Sequence, residues 1–362
     1  MRTEPIAVSI LTGFLGSGKT TLLNRLLKDP ALKNTAVVIN EFGEVGIDHL
    51  LVEQSGDGVI ELSDGCLCCT VRGELVDTLA DLVDRMQTGR IAALDRIVIE
   101  TTGLADPVPV LQSVMGHPAL MHALRLDGVI ALVDAVNGAA TLTAHEEARR
   151  QVAVADRIVL SKTDLSDDTS DLLARLRALN PNAEIVDGAD RASAKLIACG
   201  LYDPATKTAD VARWLGHDHH DHHHAHDHSH DHDHSHHDPR IRTFSLVHDK
   251  PVSWSTIEMF LDLLRSTQGE QLLRMKGIIE IAEDPERPLV IHGVQKLLHP
   301  PARLPSWPDE QRGTRLVLIT YDLPEDYVQR LFGAFVGKPA LDAPDRAAMT
   351  ENPLAIAGFR AR

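Results

Sequence analysis

Along the first 200 residues, short β-branched apolar runs alternate with amphipathic stretches, the pattern of a parallel sheet wrapped by helices. Strands are predicted over residues 6–11, 35–40, 96–100, 128–133 and 157–160, and their near-continuous apolar character predicts a sheet covered on both faces. Between them Val71, Leu75, Leu79, Leu82 and Met86 recur at helical spacing opposite Asp77, Asp81, Asp84 and Arg85, an apolar stripe that faces a core. After Pro239 the pattern changes to strands over 242–247, 277–282, 289–294 and 315–321 with helices over 255–266 and 325–335, which suggests a small open-faced α+β sandwich. Between the two patterns, residues 217–237 interleave thirteen of the chain's 20 histidines with Asp and Ser and contain no Lys or Arg. So polar a stretch cannot offset its ordering entropy by burial, so it is expected to be a solvated loop that marks the domain boundary. The expected division is an α/β domain over 1–200, a His-rich linker over 201–239, an α+β domain over 240–338 and a tail over 339–362.

Composition narrows the function. A chain of 362 residues with 43% apolar and 24% charged residues is an ordinary globular protein with room for two domains. Its net charge of -16 argues against DNA or RNA as the main ligand. No apolar run approaches the roughly 20 residues of a membrane span, and residues 6–11 are too short for a signal-peptide core, so a cytoplasmic protein is expected. Three of the four cysteines fall at Cys66, Cys68 and Cys69, which points to metal or redox chemistry and not to a disulfide framework. Cys199, alone on a predicted helix, is assigned to the core.

Four local motifs carry chemistry. Gly13-Phe14-Leu15-Gly16-Ser17-Gly18-Lys19-Thr20 matches G-x-x-x-x-G-K-[ST] between a predicted strand and an apolar helical run. Its glycines let backbone N–H groups turn toward phosphates, Lys19 neutralises β/γ charge and the Thr20 hydroxyl suits Mg(II). Thr21 joins the nucleotide-contacting set. Second, the apolar strand over 96–100 delivers Glu100 beside the magnesium position, followed by Thr101-Thr102-Gly103, where Gly103 offers its N–H to the γ-phosphate. Glutamate is one methylene longer than the usual aspartate, so contact through a water is expected. Third, Ser161-Lys162-Thr163-Asp164 follows a strand where GTPases read the base. The Asp164 carboxylate can accept from guanine N1–H and the 2-amino group, which adenine cannot supply; a helix N-cap with a solvated aspartate is the alternative. Ser161 replaces the usual Asn and is expected to tether the loop less firmly. Fourth, Gly65-Cys66-Leu67-Cys68-Cys69 precedes a helix start, where the dipole favours thiolates and a soft cation fits; buried structural thiols and a redox Cys66/Cys69 pair are the alternatives.

With these motifs the chain resembles the CobW family of metal-handling GTPases, in its YjiA-like branch, relatives of the nickel-inserting maturation GTPases for urease and hydrogenase. The resemblance covers most of residues 5–335 and rests on the glycine-rich loop, the run from Asn40 through Glu41-Phe42-Gly43-Glu44-Val45-Gly46-Ile47 to Asp48, residues 65–69, residues 100–107 with their Gly-Leu-Ala-Asp-Pro ending, residues 127–134 and the C-terminal domain. It implies a P-loop GTPase domain, a smaller CobW-type domain, and a metallochaperone or insertase that carries zinc, or in some members cobalt, to a client metalloprotein. It also implies that Cys66, Cys68 and Cys69 form the metal site and that residues 40–48 form a nucleotide-sensitive switch. Where some relatives have an acid before Asn-Glu-Phe-Gly, this chain has Ile39.

GTP and Mg(II) ordering that switch would bring Glu44 or a neighbouring donor toward the thiolates, and hydrolysis would loosen the metal. Thiolates with one carboxylate favour Zn(II), with Co(II) next. Glu44 and Asp48 as plain solvated acids are the alternative. The His-rich segment is expected to gather zinc, nickel or cobalt, or else merely to solubilise. Two rival functions stay open, a non-catalytic zinc or nickel buffer and a nickel-inserting maturation GTPase. The client and the oligomeric state, a homo-oligomer included, are not fixed by the sequence.

Overall fold

The computed structural model describes residues 5–32, 34–40, 59–61, 71–189, 196–199 and 240–337. The first domain is a seven-stranded sheet in the order β3-β2-β4-β1-β5-β6-β7. Its strands are β1 (Ile6–Gly13), β2 (Thr35–Asn40), β3 (Val59–Glu61), β4 (Arg96–Thr101), β5 (Leu124–Asp134), β6 (Arg157–Ser161) and β7 (Glu184–Asp187). Every pairing between them is parallel. The described helices of this domain are α1 (Lys19–Leu27), α2 (Val71–Gln87), α3 (Val108–Gly116), α4 (Gly138–Ala144), α5 (Glu146–Val154) and α6 (Ser170–Leu179).

The continuous apolar strands are covered on both faces, as expected. Ile6, Val8 and Ile10 of β1 pack with α2 and α3, whereas Leu11 packs with Leu22, Leu23 and Leu26 of α1. The stripe on α2 is core-facing, with Leu75, Leu79 and Leu82 buried. β5 begins four residues earlier than the sequence pattern indicates, because Leu124 and Leu126 continue the pairing with β1. Cys199 lies just beyond a short helical pair at 196–197, not on a helix, and packs partly buried against the α1 side of the core.

The C-terminal domain contains β8 (Ile241–His248), α7 (Trp254–Gln268), β9 (Leu272–Ile279), β10 (Leu289–Val294), β11 (Leu297–Leu298), β12 (Ala302–Arg303), β13 (Thr314–Tyr321) and α8 (Glu325–Phe335). Its six-stranded sheet runs β11-β10-β9-β13-β8, with β12 on β10, and every pairing is antiparallel. Leu316 and Leu318 of β13, with Phe244 and Leu246 of β8, face the two helices.

The other face is not open. Ile241, Leu273 and Ile319 join the core of the first domain, so this sheet is a middle layer between its helices and the α/β domain. β9, the second strand of this domain, also lies earlier than expected, at Leu272–Ile279 and not 277–282. Arg274 and Lys276 interrupt its apolar pattern because they cross to Asp156 of the first domain. No described helix is long and apolar enough to cross a membrane. The His-rich segment and residues 339–362 lie outside the described residues.

Candidate nucleotide site

β1 carries the chain straight into the glycine-rich loop. Gly13, Gly16 and Gly18 have φ of 147°, 72° and 94°, values that L side chains resist. A Cβ on Gly13 would also lie 2.5 Å from the Leu132 carbonyl oxygen. The Ser17 N–H closes the turn onto the Phe14 carbonyl at 3.1 Å. Lys19 is buried and folds back over the loop, donating from Nζ to the carbonyls of Gly13 at 2.8 Å and Phe14 at 3.4 Å. Thr20, half-buried, and Thr21, exposed, sit in the first turn of α1. No side chain caps that turn, so its N–H groups and the positive end of the dipole are turned toward an anion.

Glu100 reaches this loop through the sheet. It stands opposite Leu11 on β1 and Ile39 on β2 and is buried. The chain builds outward on one side of β1 through β4 and on the other through β5, and the crevice at the carboxyl ends of such strands is where α/β sheets bind ligands. The next residue, Thr101, donates its hydroxyl to Thr12 Oγ1 at 2.9 Å, locking β4 to β1 just below the loop. Gly103 then lies directly against the loop: a Cβ there would sit 2.7 Å from the Leu15 backbone nitrogen. Phosphate loop, buried carboxylate and following glycine are thus brought together as the sequence predicts.

The loop that follows β6 is fastened to the same structure. Ser161 donates its hydroxyl to the Ser17 carbonyl at 2.7 Å, so serine supplies a direct tether where a looser loop was expected. Lys162, in the left-handed region at φ 57°, donates to the Gly16 carbonyl at 2.9 Å and pairs with Asp134 at 2.6 Å. Burial alone would raise the Asp134 carboxyl, but the Lys162 ammonium, the Asn137 amide and the N–H groups of Val136 and Asn137 outweigh it and hold the group below its ordinary value. Asp164 is exposed in the short turn Thr163–Leu165, and Thr163 donates to Asp187 at 2.8 Å.

Sequence reasoning assigned no role to Asp134 or to Gln151. Gln151, on α5, donates from Nε2 to the carbonyls of Gly103 at 3.1 Å and Ala105 at 3.0 Å. A glutamine on an amphipathic helix carries no local signal; only its separation of nearly 50 residues from its partners, closed by the fold, reveals it.

Cys66, Cys68, Cys69 and Glu44 lie outside the described residues, and among the described ones no group of three or more His, Cys, Asp or Glu is placed to hold a metal. The strands that lead to them are described. Toward Glu44 the chain leaves β2 at Asn40, and toward Cys66 it leaves β3 at Glu61, with Ile39 and Glu61 paired across the two strands. Both exits are at the carboxyl end of the parallel strands, the end that holds the glycine-rich loop.

Comparison with known proteins agrees with this arrangement. Residues 7–187 match the CobW/HypB/UreG nucleotide-binding domain, and residues 241–336 match the cobalamin synthesis protein cobW C-terminal domain. Zinc chaperone YjiA of Escherichia coli is 36% identical over 334 residues, which cover 91% of this chain and 98% of that protein. Zinc chaperone CobW of Pseudomonas aeruginosa is 36% identical over 356 residues, 88% of each chain. A crystal structure of Zn(II)-bound YjiA GTPase from E. coli superposes with a TM-score of 0.65 at 31% identity, covering 92% of this chain and 99% of that one. A P-loop domain of seven parallel strands with the glycine-rich loop at their carboxyl end, joined to an antiparallel C-terminal domain of the matching type, places the chain in the CobW family of P-loop GTPases.

Proposed function

We propose that the protein is a GTP-hydrolysing zinc metallochaperone that carries Zn(II) on Cys66, Cys68 and Cys69, with Glu44 as a candidate further ligand, and yields it to a client metalloprotein under nucleotide control. The observation that carries this reading is the pairing of β2 with β3 beside β4. The segments bearing Glu44 and the cysteines leave the sheet from adjacent strands, one of which is paired to the strand that carries Glu100. The strand that leads to Glu44 is therefore adjacent to the one that carries Glu100, and the strand that leads to the cysteines is the next one out. Relatives named as zinc chaperones support zinc as cargo. Co(II) suits the same thiolate set, and Ni(II) suits it less well than the histidines.

Each nucleotide residue has a task. The N–H groups of residues 16–20 hold the phosphates, and Lys19 exchanges its loop carbonyls for β/γ oxygens. The Thr20 hydroxyl in the first turn of α1 and the buried Glu100 carboxylate near the end of β4 are hard oxygen donors, a set that fits Mg(II) with retained waters; an ion held by them would offset phosphate charge. Gly103 offers its N–H to the γ-phosphate and loses that partner when phosphate leaves. Asp164 pairs with N1–H and the 2-amino group, which selects guanine over adenine.

The test is steady-state GTP hydrolysis by metal-free protein with and without stoichiometric zinc, in wild type and in the combined Cys66→Ala, Cys68→Ala, Cys69→Ala variant. Zinc is expected to change the wild-type rate and to leave the variant's rate alone. Hydrolysis indifferent to both zinc and the cysteines would overturn the coupling, and absent hydrolysis would reduce the protein to a metal buffer.

A further inference from the structure

Helix α5 lies between the nucleotide site and the C-terminal sheet, and consecutive residues on it hold both. Gln151, 1% exposed, grips the carbonyls of Gly103 and Ala105. Arg150 donates to Asp106 Oδ2 at 3.2 Å, and the other oxygen of Asp106 accepts the Val108 N–H at 2.9 Å, which starts α3. The segment that follows Glu100 is thereby held at three successive points by one helix. Gly103 in that segment also lies against the Leu15 backbone, so the segment is in contact with both α5 and the phosphate loop.

Arg150 also reaches the second domain. Its guanidinium lies 4.3 Å from the ring centroid of Tyr321, the last residue of β13, and it pairs with Glu146 at 3.0 Å. Glu146 accepts from Arg240 at 3.1 Å, and Arg240 lies 5.1 Å from the same Tyr321 ring. The Arg240 carbonyl accepts the Asp322 N–H at 2.7 Å, so this cluster pins the point where the chain, having passed the His-rich segment, enters the C-terminal sheet. Two guanidiniums, two carboxylates and one ring form a half-buried junction with an alternation of charge that fixes each member.

We propose that Gln151 and Arg150 are positioning residues for GTP hydrolysis, Gln151 by setting Gly103 against the γ-phosphate position and Arg150 by passing movement of Asp106 to Tyr321 and Arg240 at the entry to the C-terminal domain. The inference rests on the reading that this protein hydrolyses GTP. Gln151 touches no substrate atom; its effect is on where the Gly103 N–H points. Removing its donor therefore costs turnover and leaves ground-state nucleotide binding, which the loop over 13–20 supplies, in place.

The experiment has two arms, both on the full chain. Gln151→Met keeps side-chain length without the donor, and its kcat for GTP is expected to fall about tenfold with KM and GDP affinity within about twofold. Asp106→Asn, at a half-buried position, breaks the adjoining ion pair and gives a second variant with the same expected split should Gln151→Met fold poorly. In the second arm, Arg150→Met and Tyr321→Leu are combined, and the affinity ratio of a non-hydrolysable GTP analogue to GDP is measured for each single and the double variant. Arg150→Met is expected to change that ratio at least about threefold, and the double variant to show no larger change, because both substitutions cut one route; an unchanged ratio in Arg150→Met overturns the route. Unchanged kcat, or a rise in KM that matches the fall in kcat, overturns the positioning role; strictly additive effects overturn the route to the C-terminal domain. Wild type that fails to hydrolyse GTP overturns the functional reading and this inference with it, whereas active wild type with unaffected variants overturns this inference alone.

Discussion

Gly103 shows how little freedom the phosphate loop leaves a neighbouring residue. A methyl group there would stand 2.7 Å from the Leu15 nitrogen and 2.9 Å from Leu15 Cα, both backbone atoms of the phosphate loop. Gly103→Ala must push the segment away from the loop, and GTP turnover is expected to fall at least about tenfold while GDP binding, measured by calorimetry, is retained. A second residue-scale prediction concerns the junction between domains. Asp156 is buried between Arg274 at 2.7 Å and Lys276, and it accepts the Val129 N–H at 2.8 Å. Burial raises its carboxyl, yet the two cations and the backbone donor hold it below the ordinary 3.8. Burial and the neighbouring guanidinium push Lys276 down to about 8, with Asp156 opposing. Asp156→Asn strands two buried cations and is expected to cost about 3–5 kcal/mol in a urea titration at neutral pH. The sign with pH follows: a depressed carboxyl contributes stability above its unfolded value, so the gap between wild type and variant should narrow as pH falls below 3.8.

Elements were legible in the sequence in proportion to how local their causes are. β1, the glycine-rich loop and α1 follow from an apolar run, obligatory glycines and an apolar helical repeat, all within 22 residues. α8 was read with its bounds intact because its buried Val328 and Phe332 alternate with charge at helical spacing. β9 was misplaced because Arg274 and Lys276 have their reason 120 residues away, at Asp156 and the Val154 carbonyl. The short edge strand β7 went unread, its four residues half-exposed or exposed. The hold of α5 on residues 103–106 was invisible for the same cause as Arg274: polar positions on a helix look solvated until their distant partners are known. The His-rich segment belongs to this scale through its chemistry. Deleting residues 217–237 is expected to remove several weak zinc equivalents, with affinity that fades below about pH 6 as imidazoles protonate, and to leave GTP hydrolysis unchanged. Metal stoichiometry by equilibrium dialysis checks this, and an unaltered stoichiometry contradicts it.

At the scale of the whole molecule, the glycine-rich loop, the strands that lead toward Glu44 and Cys66, and the C-terminal sheet share one continuous framework. Residues of β1, α2 and α3 pack in a single core with Ile241, Leu273, Val294 and Ile319 of the second domain. Gln112 on α3 donates to Gln295 at 2.6 Å, and Gly116 lies so close to Leu297 that a Cβ would be 2.2 Å from Cδ1. Helix α3 itself starts where the segment over 100–107 ends, so the C-terminal domain is packed on the element that continues the segment bearing Glu100 and Gly103. The central claim is that nucleotide state sets the grip on zinc. It is tested most directly by titrating zinc against a competing chelator with the protein saturated in a non-hydrolysable GTP analogue and then in GDP. Tighter zinc binding with the analogue, abolished by combined Cys66→Ala, Cys68→Ala and Cys69→Ala, is the expected result, and equal affinity in the two nucleotide states would contradict the account.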